Sequence, residues 1–100
     1  MKVTIGKVFY NECLNRGMTK IHDTYKDETE RSICETLARA KESKRFWSVD
    51  VSLTELNILI SECDWFVYMN NEDKTSDYYN LKNQLKSFEK AKSKLVEENK

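Results

Sequence analysis

Apolar positions recur at helical spacing along most of this chain, and they are densest from Leu53 to Met69, where eleven of seventeen residues are apolar or aromatic. Ser52, with Glu55 three positions on, forms a capping box directly before that stretch and predicts a helix over 53–69. At about 100° per residue, Leu53, Leu56, Ile60, Cys63 and Val67 share one face, flanked by Leu59 and Phe66. Ile58, Trp65 and Met69 fall on nearly the opposite face, and Asn57, Ser61 and Asp64 make a narrow polar strip between the two. The first face is predicted to bury in the protein's own core. The second either meets another part of this chain or stays open for a partner, since aromatic and Met side chains are favoured at interface centres.

Periodicity predicts three further helices. Ile5, Val8, Phe9 and Cys13 are helically spaced and Gly17 stands where a C-terminal glycine would, which predicts a helix over 5–16, although Val3 and Ile5 also fit a short strand. Thr24 followed by Asp27 resembles a helix start. Acids at Asp27, Glu28 and Glu30 and bases at Arg39, Lys41, Lys44 and Arg45 complement the dipole of a helix over 25–45. Its apolar stripe is thin, at Ile33, Leu37 and Ala40. After a polar turn over 70–76, Thr75 or Ser76 opens a last helix to about Glu97, with Tyr78, Leu81, Leu85, Phe88 and Leu95 on one side.

Trp47, Val49 and Val51 alternate with Ser48 and Asp50, as in an extended segment pairing with Val3 to Ile5 or in a linker whose Trp47 enters the core. The fold expected is mainly α: one domain, a compact four-helix bundle with a minimal two-stranded ribbon from residues 3–5 and 47–51.

Composition narrows the function. With 17 basic and 17 acidic residues no global field draws the chain to nucleic acid or an anionic membrane. The run over 53–69 contains Glu55, Glu62 and Asp64 and falls short of the roughly 20 apolar residues of a spanning helix. Cys13, Cys34 and Cys63 are few and far apart, and no secretory leader is visible, so a reducing cytoplasmic setting without disulfides is expected. Thirteen Lys against four Arg suggests an AT-rich genome, such as that of a low-GC bacterium or its phage.

Candidate chemistry is sparse. Metal sites usually announce themselves as close Cys or His pairs, and three isolated cysteines with one histidine give no metal or cofactor expectation. Cys13 and His22 could be drawn together as a nucleophile and base, but no orienting third group is identifiable, so no catalytic residue is assigned. Glu62 lies near the second apolar face, where desolvation could raise its pKa. A helix-turn-helix would present Glu55, Glu62 and Asp64 to DNA, which is the wrong charge.

The expected function is that of a small non-enzymatic interaction protein. It would be homo-oligomeric, bind and regulate or inhibit another protein as phage accessory or anti-defence proteins do, and use Ile58, Glu62, Trp65 and Met69 as its interface. The alternative is a module for a nucleotide or other phosphorylated ligand, with Tyr78 and Tyr79 stacking on a base while Lys82 and Lys86 meet phosphate. Lys82 and Lys86 belong to a ladder with Lys90 and Lys94 that a solvated helix face explains equally.

Overall fold

The computed structural model describes residues 1–72 and 74–98, and contains strand β1 (Lys2–Gly6), helices α1 (Lys7–Asn15) and α2 (Glu28–Arg39), strands β2 (Lys41–Glu42) and β3 (Phe46–Asp50), and helices α3 (Leu53–Met69) and α4 (Ser76–Glu98). The chain is mainly α. Its helices touch in the order α1, α4, α3, α2, with the α3 and α4 contact the most extensive, while an antiparallel sheet ordered β1-β3-β2 packs against α4 through β1 and against α2 through β3. The sheet has three strands where a two-stranded ribbon was expected, so four helices alone do not describe the architecture. Among the described residues no helix is long and apolar enough to cross a membrane.

Three helix boundaries follow from caps. Ser52 accepts from the Glu55 N–H (3.1 Å) and Glu55 accepts from the Ser52 N–H (2.9 Å), so the capping box starts α3 at Leu53 as predicted. Asp27 accepts from the Glu30 N–H and starts α2, three residues later than the sequence suggested. Gly17, at φ 72°, closes α1 with a paired motif in which the Met18 N–H reaches the Cys13 carbonyl and the Gly17 N–H reaches that of Leu14.

Two helices are shorter than their periodicity implied. Ile5 belongs to β1, opposite Trp47, because Val3 and Ile5 both point inward from an extended backbone that continues through Gly6. The helix predicted to reach residue 45 ends at Arg39: Ala40 turns extended (ψ 139°), and Lys41 and Glu42 pair with Ser48 and Trp47. The all-polar sequence from Lys41 to Arg45 gives a further helical turn nothing to bury, whereas the exposed edge of β3 offers hydrogen bonds. Asp73, within the turn expected over 70–76, lies outside the described residues.

The core is built around aromatic contact between helices. Phe9 of α1 packs against Phe66 of α3 (centroids 5.6 Å) and edge-on against Phe88 of α4 (5.5 Å), and Ile5, Ile33, Leu56, Leu59 and Leu81 are fully buried around them. Trp47 is half-buried in β3, stacked on Tyr10 at 3.8 Å and nearly parallel. The side-chain amide of Gln84 covers the outer edge of β1, accepting from the Gly6 N–H (2.6 Å) and donating to the Thr4 carbonyl (3.0 Å).

Candidate functional site

The core face of α3 is centred on Leu56, Leu59, Cys63 and Phe66, all fully buried, while Leu53, Ile60 and Val67 are half-buried. This centre is rotated slightly from the one the sequence suggested. The rotation leaves the opposite side of the C-terminal half open: Trp65 is 48% exposed, Tyr68 69% and Met69 54%. Tyr68 and Met69 follow Trp65 by three and four residues, so each neighbours it one helical turn on. Trp65 and Tyr68 stack with centroids 5.8 Å apart.

Of the four residues expected at an interface, the structure brings Glu62, Trp65 and Met69 to this surface, and half-buries Ile58 against the core at its N-terminal end. Tyr68 was missed. Its position three residues after Trp65 is the sequence signal that would have included it.

Trp65 stands between two depressions. A shallow one of about 390 Å³ is lined by Ser61, Asp64, Trp65 and Tyr68. A larger cleft of about 500 Å³ separates α3 from the start of α2 and is walled by Arg16, Lys26, Asp27, Glu30, Glu62 and Trp65. Burial raises the Glu62 carboxyl above its usual range, the Arg16 guanidinium opposes this, and Asp27 adds to it. The same guanidinium lies over the Phe66 ring, 5.2 Å from its centroid.

A second constellation lies in the loop over 16–27 and on α2. His22 Nε2 is 3.7 Å from Cys34 Sγ, and one ligand atom from each of His22, Glu30 and Cys34 lies within 4.8 Å of the others. It is Cys34, and not Cys13, that the fold sets beside His22. His22 Nδ1 lies 2.6 Å from the Thr24 carbonyl oxygen, which can only accept, so Nδ1 carries a proton and Nε2 is the nitrogen that faces the thiol. Burial, with Glu30 adding to it, pushes the Cys34 thiol up.

The other two cysteines are core residues. Cys63 donates to the Leu81 carbonyl at 3.4 Å and burial pushes its thiol up to about 12; burial moves the Cys13 thiol further in the same direction. Neither has the thiolate character that nucleophilic or redox chemistry requires.

The residues expected to hold a nucleotide are neighbours on α4 with unequal access. Tyr78 is buried and Lys82 Nζ lies 5.4 Å from the centroid of its ring, whereas Tyr79, Lys82 and Lys86 are exposed. The edge of one tyrosine ring faces the other, with centroids 5.2 Å apart.

No protein-family model matches the chain, and comparison with curated proteins and with solved structures yields no match.

Proposed function

We propose that this protein is a small non-enzymatic interaction module that associates with a second copy of itself through the C-terminal half of α3 and, so assembled, binds and regulates or inhibits another protein. The observation that carries this is the stacked, exposed pair of Trp65 and Tyr68 beside Met69. Large aromatic side chains cost little conformational entropy to immobilise and dominate interface energetics, and Met adapts its shape to what it meets.

A second copy suits the position of Glu62. If two α3 helices cross antiparallel about a two-fold axis at Trp65, Ser61 of one copy lies opposite Met69 of the other, and Glu62 opposite Tyr68. The two Glu62 carboxylates are then held apart along the seam, and the Tyr68 hydroxyl can donate to the Glu62 carboxylate. The half-desolvated Glu62 gains a partner it lacks within its own helix.

The nucleotide alternative draws less support. Tyr78 is occupied within the fold, which leaves Tyr79 with the lysines as a one-sided platform.

Sedimentation velocity of the wild-type chain and of Trp65→Ala tests the proposal. A concentration-dependent dimer that Trp65→Ala shifts to monomer, with helix content unchanged, is the expected result. A wild-type chain that stays monomeric at high concentration, or a dimer indifferent to the substitution, overturns it.

A further inference from the structure

The loop over 16–27 is the longest connection in the chain, and it is mostly polar. Long connections without secondary structure in a small domain usually have a job beyond joining their ends. Met18 and Thr19 are buried at its start, but from Lys20 to Asp27 only Tyr25 is even half-buried. That part is nevertheless organised around one side chain. The His22 N–H donates to the Tyr25 hydroxyl (3.1 Å), the two rings lie 4.6 Å apart, and Nδ1 is fixed on the Thr24 carbonyl. The outcome is an imidazole held in one tautomer with Nε2 aimed at α2.

What Nε2 meets on α2 is a donor set. Glu30 and Cys34 are four residues apart, so they share one face of the helix. The buried Cys34 Sγ is 3.7 Å from Nε2. Zinc bond lengths of about 2.0–2.3 Å and tetrahedral angles place neighbouring ligand atoms roughly 3.4–3.7 Å apart. The sulfur and nitrogen already stand at that spacing. Glu30 holds the Lys26 N–H with Oε2 (3.1 Å), and a carboxylate has a second oxygen to offer.

We infer that His22, Glu30 and Cys34 form a binding site for one zinc-class divalent cation, which clamps the 16–27 loop onto α2. A mixed sulfur, nitrogen and oxygen set excludes the hard cations Mg²⁺ and Ca²⁺, which take oxygen ligands, and suits Zn²⁺ or its spectroscopic substitute Co²⁺. On binding, Cys34 releases its proton to solvent and the thiolate sulfur bonds the metal; no electron is transferred. The Nδ1 contact with a backbone carbonyl is the outer-shell support that metal-bound histidines commonly have. Three protein ligands leave a fourth position for water. Glu30 also walls the cleft beside Trp65 and Glu62.

The test uses the full chain, stripped with a chelator and titrated with Co²⁺ and then Zn²⁺. The expected result is one Co²⁺ per chain with a thiolate-to-cobalt charge-transfer band, displaced by Zn²⁺. Cys34→Ser removes the band and Cys63→Ala retains it. Because substitution at buried Cys34 can also disturb packing, His22→Gln is the deciding variant: its side chain is exposed, circular dichroism stays as in wild type, and Co²⁺ affinity falls about 100-fold or more. The inference is overturned if the wild-type chain gives no thiolate band, or if His22→Gln binds Co²⁺ as the wild type does. Trp65→Ala leaves metal binding intact, so this inference and the interaction proposal stand or fall separately.

Discussion

Arg39 and Glu55 join the end of α2 to the first turn of α3, with Nη2 2.8 Å from Oε2. The other Glu55 oxygen accepts from the Ser52 N–H, so one carboxylate serves both the capping box and the interhelical tie. Burial pushes this carboxyl up, but the Ser52 amide and the Arg39 guanidinium outweigh that and hold it below the usual range. A lowered carboxyl stabilises the fold above its unfolded pKa of about 4.3, and the contribution is lost as pH falls through the lower folded value. Glu55→Gln is therefore expected to cost about 1 kcal/mol near neutral pH, with the gap closing in acid. Urea denaturation of both proteins at pH 7 and pH 3 checks this.

Glu62 has the opposite sign. Burial raises its folded pKa, so the ionised form weighs against the fold, and stability declines as pH rises from about 4.3 through the folded value. Glu62→Gln should raise the melting temperature at pH 7 and leave it unchanged near pH 3. The comparison is made at a concentration where the chain is monomeric. A variant less stable than wild type at pH 7 would show that Arg16 outweighs the desolvation.

Gln84 stands in for a fourth strand at the β1 edge. Replacing it with Ala leaves the Gly6 N–H and the Thr4 carbonyl without that partner and should cost about 1–3 kcal/mol, with faster hydrogen exchange at Gly6. No periodicity in the sequence marks this role, because it depends on a side chain and a strand 78 residues apart.

The third helix was the most legible element. Its apolar density, its cap and both ends can be read directly, because a capping box is a local device. The β2 and β3 hairpin was not legible. Ser43 and Phe46 close a two-residue turn at Lys44 and Arg45, which has none of the Asn-Gly chemistry that marks such turns and uses no positive φ. Lys41 to Arg45 therefore looked like the basic end of a helix. The pairing of His22 with Cys34 was hidden for a different reason. Cys13 is closer in sequence to His22, and only the turn at Gly17 and the path of the loop decide which cysteine the imidazole meets.

Adjacent positions on α3 should respond very unequally. Phe66→Ala removes a fully buried ring that packs on Phe9 and is expected to cost about 3–5 kcal/mol in chemical denaturation. Trp65→Ala removes a half-exposed ring and should cost the monomer about 1 kcal/mol or less. Similar large losses at both sites would make Trp65 part of the core.

The most direct test of the interaction face is the environment of Trp65 itself. In a Trp47→Phe variant Trp65 is the only tryptophan, and its emission and acrylamide quenching can be followed against protein concentration. Association through α3 predicts a solvent-exposed, readily quenched indole in the dilute monomer that shifts to the blue and becomes protected as the dimer forms. An indole that remains equally exposed while the protein dimerises would contradict the assignment of this face.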